Sequence, residues 1–138
     1  MPDDPAPTDD GAGNVIANNG ANGVAITGGG EPVGNSVRGN LIAGNGNADN
    51  TDVGIDLGSA GVTSNDNAAD DADSGSNNLQ NFPVIEDISY NDSNDEVSID
   101  YRVQTATGNA NYPLKVDFYA ADSEASGEGA IYLDTQEY

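Results

Sequence analysis

Gly54-Ile-Asp-Leu-Gly58 runs on through Val62-Thr-Ser-Asn-Asp66 and Asp70-Asp-Ala-Asp-Ser-Gly75 to Leu79-Gln-Asn-Phe-Pro83. Before this stretch, short aliphatic pieces alternate with Asn and Gly. After it, longer alternating runs carry aromatic residues. The stretch therefore reads as the end of one β architecture, an acidic loop, and the entrance to another.

Upstream, the sequence repeats itself. Gly13-Asn-Val-Ile-Ala-Asn-Asn-Gly20 aligns with Gly39-Asn-Leu-Ile-Ala-Gly-Asn-Gly46, an offset of 26 residues, and Gly23-Val-Ala-Ile-Thr aligns with Gly54-Ile-Asp-Leu-Gly58, an offset of 31. The second unit thus carries an extra loop of about five residues, placed most simply at Asn47–Asp52. A related piece, Gly34-Asn-Ser-Val-Arg-Gly39, precedes it. Each aliphatic piece is too short and too closely flanked by glycine for a helix. Short strands with turn residues at every corner fit a β-solenoid, for which self-similarity over a few tens of residues is expected. Alternation then directs Ile16, Val24, Ile26, Val37, Ile42, Ile55 and Leu57 inward, and Ala17, Ala25, Arg38, Ala43 and Asp56 outward. Asn14 and Asn40 occupy equivalent positions, as do Asn19 and Asn45. Stacked asparagines can bond one another and tolerate the left-handed backbone of a tight corner, so their expected role is structural.

These repeats resemble those of right-handed parallel β-helix proteins of bacterial surfaces and secretions. The segment Gly54–Asp66, with Asp71-Ala-Asp73 and Asn77-Asn-Leu-Gln-Asn-Phe-Pro-Val84, is similar to the segment that closes such helices in large multidomain proteins. The resemblance implies that a β-sandwich module follows, and Leu114–Ala121 and Gly127–Leu133 resemble two of its strands. Ser74-Gly75-Ser76 departs from the Thr-Gly-Pro expected there.

Beyond Pro83 the pattern changes to longer alternation. Val84–Tyr90, Val97–Thr105, Leu114–Ala120 and Ala130–Asp134 are strand candidates, with turns at Asn91–Asp95 and Gly108–Asn111 and a loop at Ser123–Gly129. Val97, Ile99, Tyr101 and Val103 share one face, and Leu114, Val116 and Phe118 another. Antiparallel pairing with one wet face follows. The chain divides into a disordered leader (1–12), β-helix repeats (13–60), an acidic closing loop (61–83) and sandwich-like strands (84–138). Four strands are few for a sandwich and two coils few for a solenoid. The expectation is a piece of a longer protein, or sheets completed by strand exchange.

Composition bounds the function. The chain has 138 residues and a formal net charge of −21, from 24 acidic and 3 basic side chains. It repels nucleic-acid backbones and anionic membrane surfaces. Cations are natural partners, and the acidity fits a salty habitat, where screening relieves self-repulsion. With no Cys and no His, disulfides, thiolate or imidazole metal sites, and Ser-His or Cys-His nucleophiles are excluded. No run is long enough for a membrane-spanning helix, and the Pro/Asp-rich start is unlike a signal peptide.

The candidate site is the acidic loop. Asp71-x-Asp73-x-Gly75, completed by Asp66 and Asn77, offers the oxygen ligands that Ca²⁺ takes, although the loop lacks the EF-hand's length and terminal Glu. The competing reading is a solvated acidic turn. Catalytic residues are not found: Asp56 is the only outward acid in a repeat strand, and Arg38, Arg102 and Lys115 lie on separate elements. The tyrosines all fall in the second half, where packing is their commoner use and stacking on sugar rings the alternative. Asn91-Asp-Ser93 fits an N-glycosylation acceptor, and Gly28-Gly-Gly30 has no Lys-Ser/Thr or helix to make it a phosphate loop.

The sequence therefore points to an all-β, non-enzymatic structural or adhesive module, extracellular or on a cell surface. Its expected partners are copies of itself or neighbouring domains of a larger protein, or carbohydrate, with calcium as its one cofactor. Strand exchange would build it into a surface layer or filament. The rivals are a fragment of a carbohydrate-active β-helix enzyme and a calcium-stabilised spacer.

Overall fold

A computed structural model describes residues 13–28, 30, 32–46, 51–58, 60–66, 71, 73–105, 108, 110–121 and 128–138. The leader at 1–12, part of the inserted loop at 47–50, Asp70 and the loop at 123–127 lie outside the described residues. The fold is all-β: eight strands, with one short 3-10 turn (Ser76–Leu79) among the described residues.

Four strands of three residues each come first: β1 (Val15–Ala17), β2 (Val24–Ile26), β3 (Leu41–Ala43) and β4 (Ile55–Leu57). β1 pairs with β3 in parallel, Ile16 opposite Ile42, and β2 pairs with β4 in parallel, Val24 opposite Ile55. The register is the repeat alignment read from sequence. Asn18 and Gly44 turn equivalent corners with φ of 56° and 63°. Such backbone suits Asn and Gly, which reach the left-handed region at low steric cost. Asn40 Oδ1 accepts the Asn14 backbone N–H (2.8 Å) and amide (3.1 Å), and Asn45 Oδ1 accepts the same two groups from Asn19 (3.2 and 2.7 Å). The asparagines thus give the corner donors partners within the chain.

The expected in–out pattern holds at Ile42, which is 6% exposed, and fails in β4. Asp56, expected outward, is 3% exposed, and Ile55, expected inward, is 43% exposed. The alternation itself is intact, since Ile55 and Leu57 stack on Val24 and Ile26. What differs is what covers each face. The Asn22 amide folds onto Asp56 and donates to its Oδ2 (2.8 Å), while Ile55 borders an open cleft.

The piece around Val37 forms no strand. Asn35 instead lies beside the 3-10 turn, with Asn77 Oδ1 accepting its N–H (3.0 Å). After the turn come two hairpins of long strands: β5 (Val84–Asn91) with β6 (Glu96–Arg102), and β7 (Lys115–Ala121) with β8 (Gly129–Glu137). All four strands were expected. β8 runs three residues further than the alternation implied, to Glu137, because it stays paired to Lys115 at the start of β7. The hairpins meet where Tyr101 packs edge-on against Phe118 (5.1 Å between centroids) and tilted against Tyr138 (5.6 Å).

β8 also lies against β3, placing hairpin β7–β8 against the parallel pair β1–β3. The buried apolar residues are Ile42, Val103 and Val116, one each from the coil, the exit of β6 and β7. They line a cleft of about 540 Å³ between coil and hairpin. The core is therefore small and sits at the junction, and every described sheet has only two strands.

Candidate functional site

The closing loop leaves β4 with the Thr63 hydroxyl donating to the Leu57 carbonyl (3.1 Å). Asn65 then clasps Phe82, its amide donating to the carbonyl and its Oδ1 accepting the N–H, both at 2.9 Å. Next to it, Asn81 Oδ1 accepts the Asp66 N–H (3.1 Å) and the Asn81 amide donates to Asp66 Oδ1 (2.9 Å) and to the Gln104 carbonyl (2.8 Å). Asp71, at φ 48° in the left-handed region, directs Oδ2 to the Asn81 N–H (3.2 Å) and the Gln80 amide (3.3 Å). These bonds fold a loop of mostly short polar residues back on itself.

The result brings Asp66, Asp71 and Asp73 together, one carboxylate oxygen from each lying within 4.8 Å of the others. Asp71 is 2% exposed, and the other two lie nearer the surface. Asn77 is not brought to this point. Its side chain is engaged with Asn35, accepting from the Asn35 N–H and amide (3.0 and 3.2 Å) and donating to the Asn35 carbonyl (2.8 Å). It makes a third asparagine pair of the kind seen at the coil corners.

Cationic side chains are committed elsewhere. Arg38 pairs with Asp117, Arg102 with Glu86 (2.7 Å) and Lys115 with Glu137 (3.7 Å), which accounts for all three in the sequence. With one oxygen each, three carboxylates supply half or fewer of the six to eight oxygens that Ca²⁺ takes, so further oxygens from backbone, water or bidentate carboxylates would complete its shell.

A second constellation joins the parallel strands to hairpin β7–β8. Glu128, 4% exposed, accepts the Asn45 N–H at Oε2 (2.8 Å) and the Asn45 amide at Oε1 (3.0 Å). These are the two donors that Asn19 presents to Asn45 one rung earlier. Glu128 therefore stands where a third asparagine would continue the ladder, and as an acceptor-only carboxylate it ends it. One corner away Asp117 also ties the hairpin to the parallel strands, accepting from Arg38, the Gly39 N–H (3.1 Å) and, within its own hairpin, the Thr135 hydroxyl (2.7 Å). Burial pushes the Asp117 carboxyl up, but the bonds from Thr135, Arg38 and Gly39 and the Arg38 charge outweigh it and hold the group below its ordinary value.

Sequence reasoning missed Asn81 and Glu128. Asn81 sits in the Leu79–Pro83 lead-in, where the polar pair Gln80-Asn81 between Leu79 and Phe82 was the available signal. Glu128 had none, since nothing local marks an acid in a loop as the terminus of a ladder 83 residues away.

Among the tyrosines, Tyr119 and Tyr132 pack edge to face (5.6 Å), and Tyr112 donates to the Thr105 carbonyl (2.9 Å). Tyr90 is 59% exposed and donates to Asp95 (2.5 Å), a bond that raises its phenol pKa, with a lesser push from burial. Asn91 ends β5 at the exposed turn into β6, its Oδ1 accepting the Ser93 N–H (3.0 Å). Among the described residues no helix is long and apolar enough to cross a membrane.

Comparison of the chain with protein-family models, with curated proteins and with solved structures finds no match.

Proposed function

We propose that the chain is a non-enzymatic structural or adhesive module, working outside the cell or at its surface, that assembles through open β-edges with copies of itself or with neighbouring domains. The observation that carries this reading is the set of two-stranded sheets: each of the four has unpaired outer edges among the described residues, and the hairpins expose Ile88, Tyr90, Val97, Ile131 and Leu133 at 57–62%. Exposed strand edges with apolar side chains are templates for pairing with another chain. The coil is read as the last turns of a right-handed parallel β-helix, and the hairpins as part of a β-sandwich.

The non-enzymatic part rests on the acids. Asp117 is tied up by three donor residues and held below its ordinary pKa, the opposite of what a general acid needs. Both oxygens of Glu128 are taken by Asn45. The rival reading of a carbohydrate-active enzyme gains nothing from either.

The experiment is light scattering with sedimentation velocity over a range of protein concentrations. Mass that rises with concentration supports assembly, and a strictly constant monomer mass removes it. A second reading, an ion-stabilised joint, is favoured by the convergence of Asp66, Asp71 and Asp73. On it, calcium binds the closing loop and fixes the coil relative to the hairpins.

A further inference from the structure

The two hairpins meet through aromatic side chains. Tyr101 meets Phe118 and Tyr138. Further along, the faces separate around a cleft of about 550 Å³. Its walls are Val97 and Ile99 of β6, Phe118 of β7 and Leu133 of β8. Val97 and Leu133 remain 58% and 57% exposed, so the apolar walls are built but unfilled.

Register defines the faces. Ile88 opposite Ile99 and Tyr90 opposite Val97 share the face turned to the cleft, while Asp87 opposite Asp100 and Asn91 opposite Glu96 take the other. Hairpin β5–β6 is thus apolar on one side and acidic on the other. Asp134 and Glu137 stand at the cleft itself, Glu137 shared with Lys115 and Asp134 bonded by the Gln136 amide.

Size argues against simple face-to-face docking of two copies. A seven-residue strand is about 23 Å long, so one hairpin face offers a few hundred Å² at most. A stable interface needs about 800 Å² per partner. An extended segment lying in the cleft would contact both walls and could also pair with an open strand edge, the strand-addition mode of recognition. Charge then selects the segment. With a net charge of −21 and all three cationic side chains already paired, this chain is a poor donor of such a strand to itself at moderate salt.

We propose that the cleft between hairpins β5–β6 and β7–β8 is a docking slot for an extended strand of a partner protein in which aliphatic residues alternate with Lys or Arg. The aliphatic side chains enter between Val97 and Leu133. The cationic ones face Asp134 and the acidic surround. The proposal builds on the open-edge reading above and names a partner for it.

The test uses a fluorescent peptide of about eight residues alternating Val and Lys, titrated into the whole chain at about 0.15 M salt. Saturable binding is expected, weakened about tenfold or more by Val97→Asp and by Leu133→Asp, and absent for the same peptide with Glu in place of Lys. Both substituted positions are exposed, and matching circular dichroism of the variants confirms the fold. Absence of binding, or equal binding to both variants, overturns the proposal, since equal binding marks charge adhesion alone. The readout needs only the single chain. A protein that takes the peptide yet shows no self-association keeps the slot and loses assembly between copies; the reverse result does the opposite.

Discussion

Replacing Glu128 by Ala tests the junction that holds coil and hairpin together. The carboxylate accepts two bonds from Asn45, at 2.8 and 3.0 Å, in a site 4% exposed. A hydrogen bond to a charged group contributes about 1.5–3 kcal/mol, so the pair is worth about 3–6 kcal/mol before the carboxylate's own desolvation is counted. Recovering that desolvation returns part of it, and a net loss of about 2–3 kcal/mol is expected for Glu128→Ala. Glu128→Gln should lose about half as much, because one oxygen remains while the new NH₂ opposes an Asn45 donor. Urea unfolding followed by circular dichroism gives both values. A double-mutant cycle with Asn45→Ala isolates the contact, and a coupling above about 1 kcal/mol is expected. A Glu128→Ala loss below about 0.5 kcal/mol, or strict additivity with Asn45→Ala, refutes the ladder-capping argument.

Three further outcomes are expected. Gly23→Ala should destabilise by about 1–3 kcal/mol in the same unfolding assay, because its Cβ would sit 2.7 Å from both the Gly54 oxygen and Ile42 Cγ2. Asp117 has a folded pKa below its unfolded one, so its contribution is present above the unfolded value of about 3.9 and disappears as pH falls through the folded one. Arg38→Met removes two of the influences that lower it, so the variant should lose less stability than the parent between about pH 5 and pH 2; parallel acid limbs would contradict this. Calcium at about 100 times its dissociation constant should stabilise the fold by about 2.7 kcal/mol, read as a higher thermal midpoint that chelator reverses and Asp71→Asn abolishes. An unchanged midpoint removes the ion from the account.

Much of the strand layout was legible, and for a physical reason. Repeats announce stacking, so the offset between Asn14 and Asn40 carries the register of β1 on β3. Period-two alternation gave the hairpins, and the Asn91–Asp95 turn gave the tip of β5–β6. The convergence of Asp66, Asp71 and Asp73 was legible because all three lie in one acidic loop. Burial in β4 was not. Alternation says which residues share a face, but whether that face is covered depends on distant groups, here the Asn22 amide over Asp56 and the unfilled cleft beside Ile55. Asn77 was misleading for a similar reason: its chemistry suits a metal ligand, and its partner Asn35 is 42 residues away. The Glu128 cap depends on an approach of β8 to β3 that no local pattern encodes.

Assembly through open edges is the central claim, and the charge of the chain makes it testable by salt. Two copies of −21 with centres about 30 Å apart, for chains of radius of gyration about 14 Å, repel by about 60 kcal/mol in salt-free water. Screening lowers this to about 20 kcal/mol at about 0.01 M salt, about 1 kcal/mol at about 0.15 M, and close to zero at about 1 M. Light scattering across that series is the direct measurement. A monomer at the lowest salt that gives way to dimers and larger species at about 1 M and above is the predicted result. A monomer of constant mass throughout the series, at every protein concentration, contradicts it.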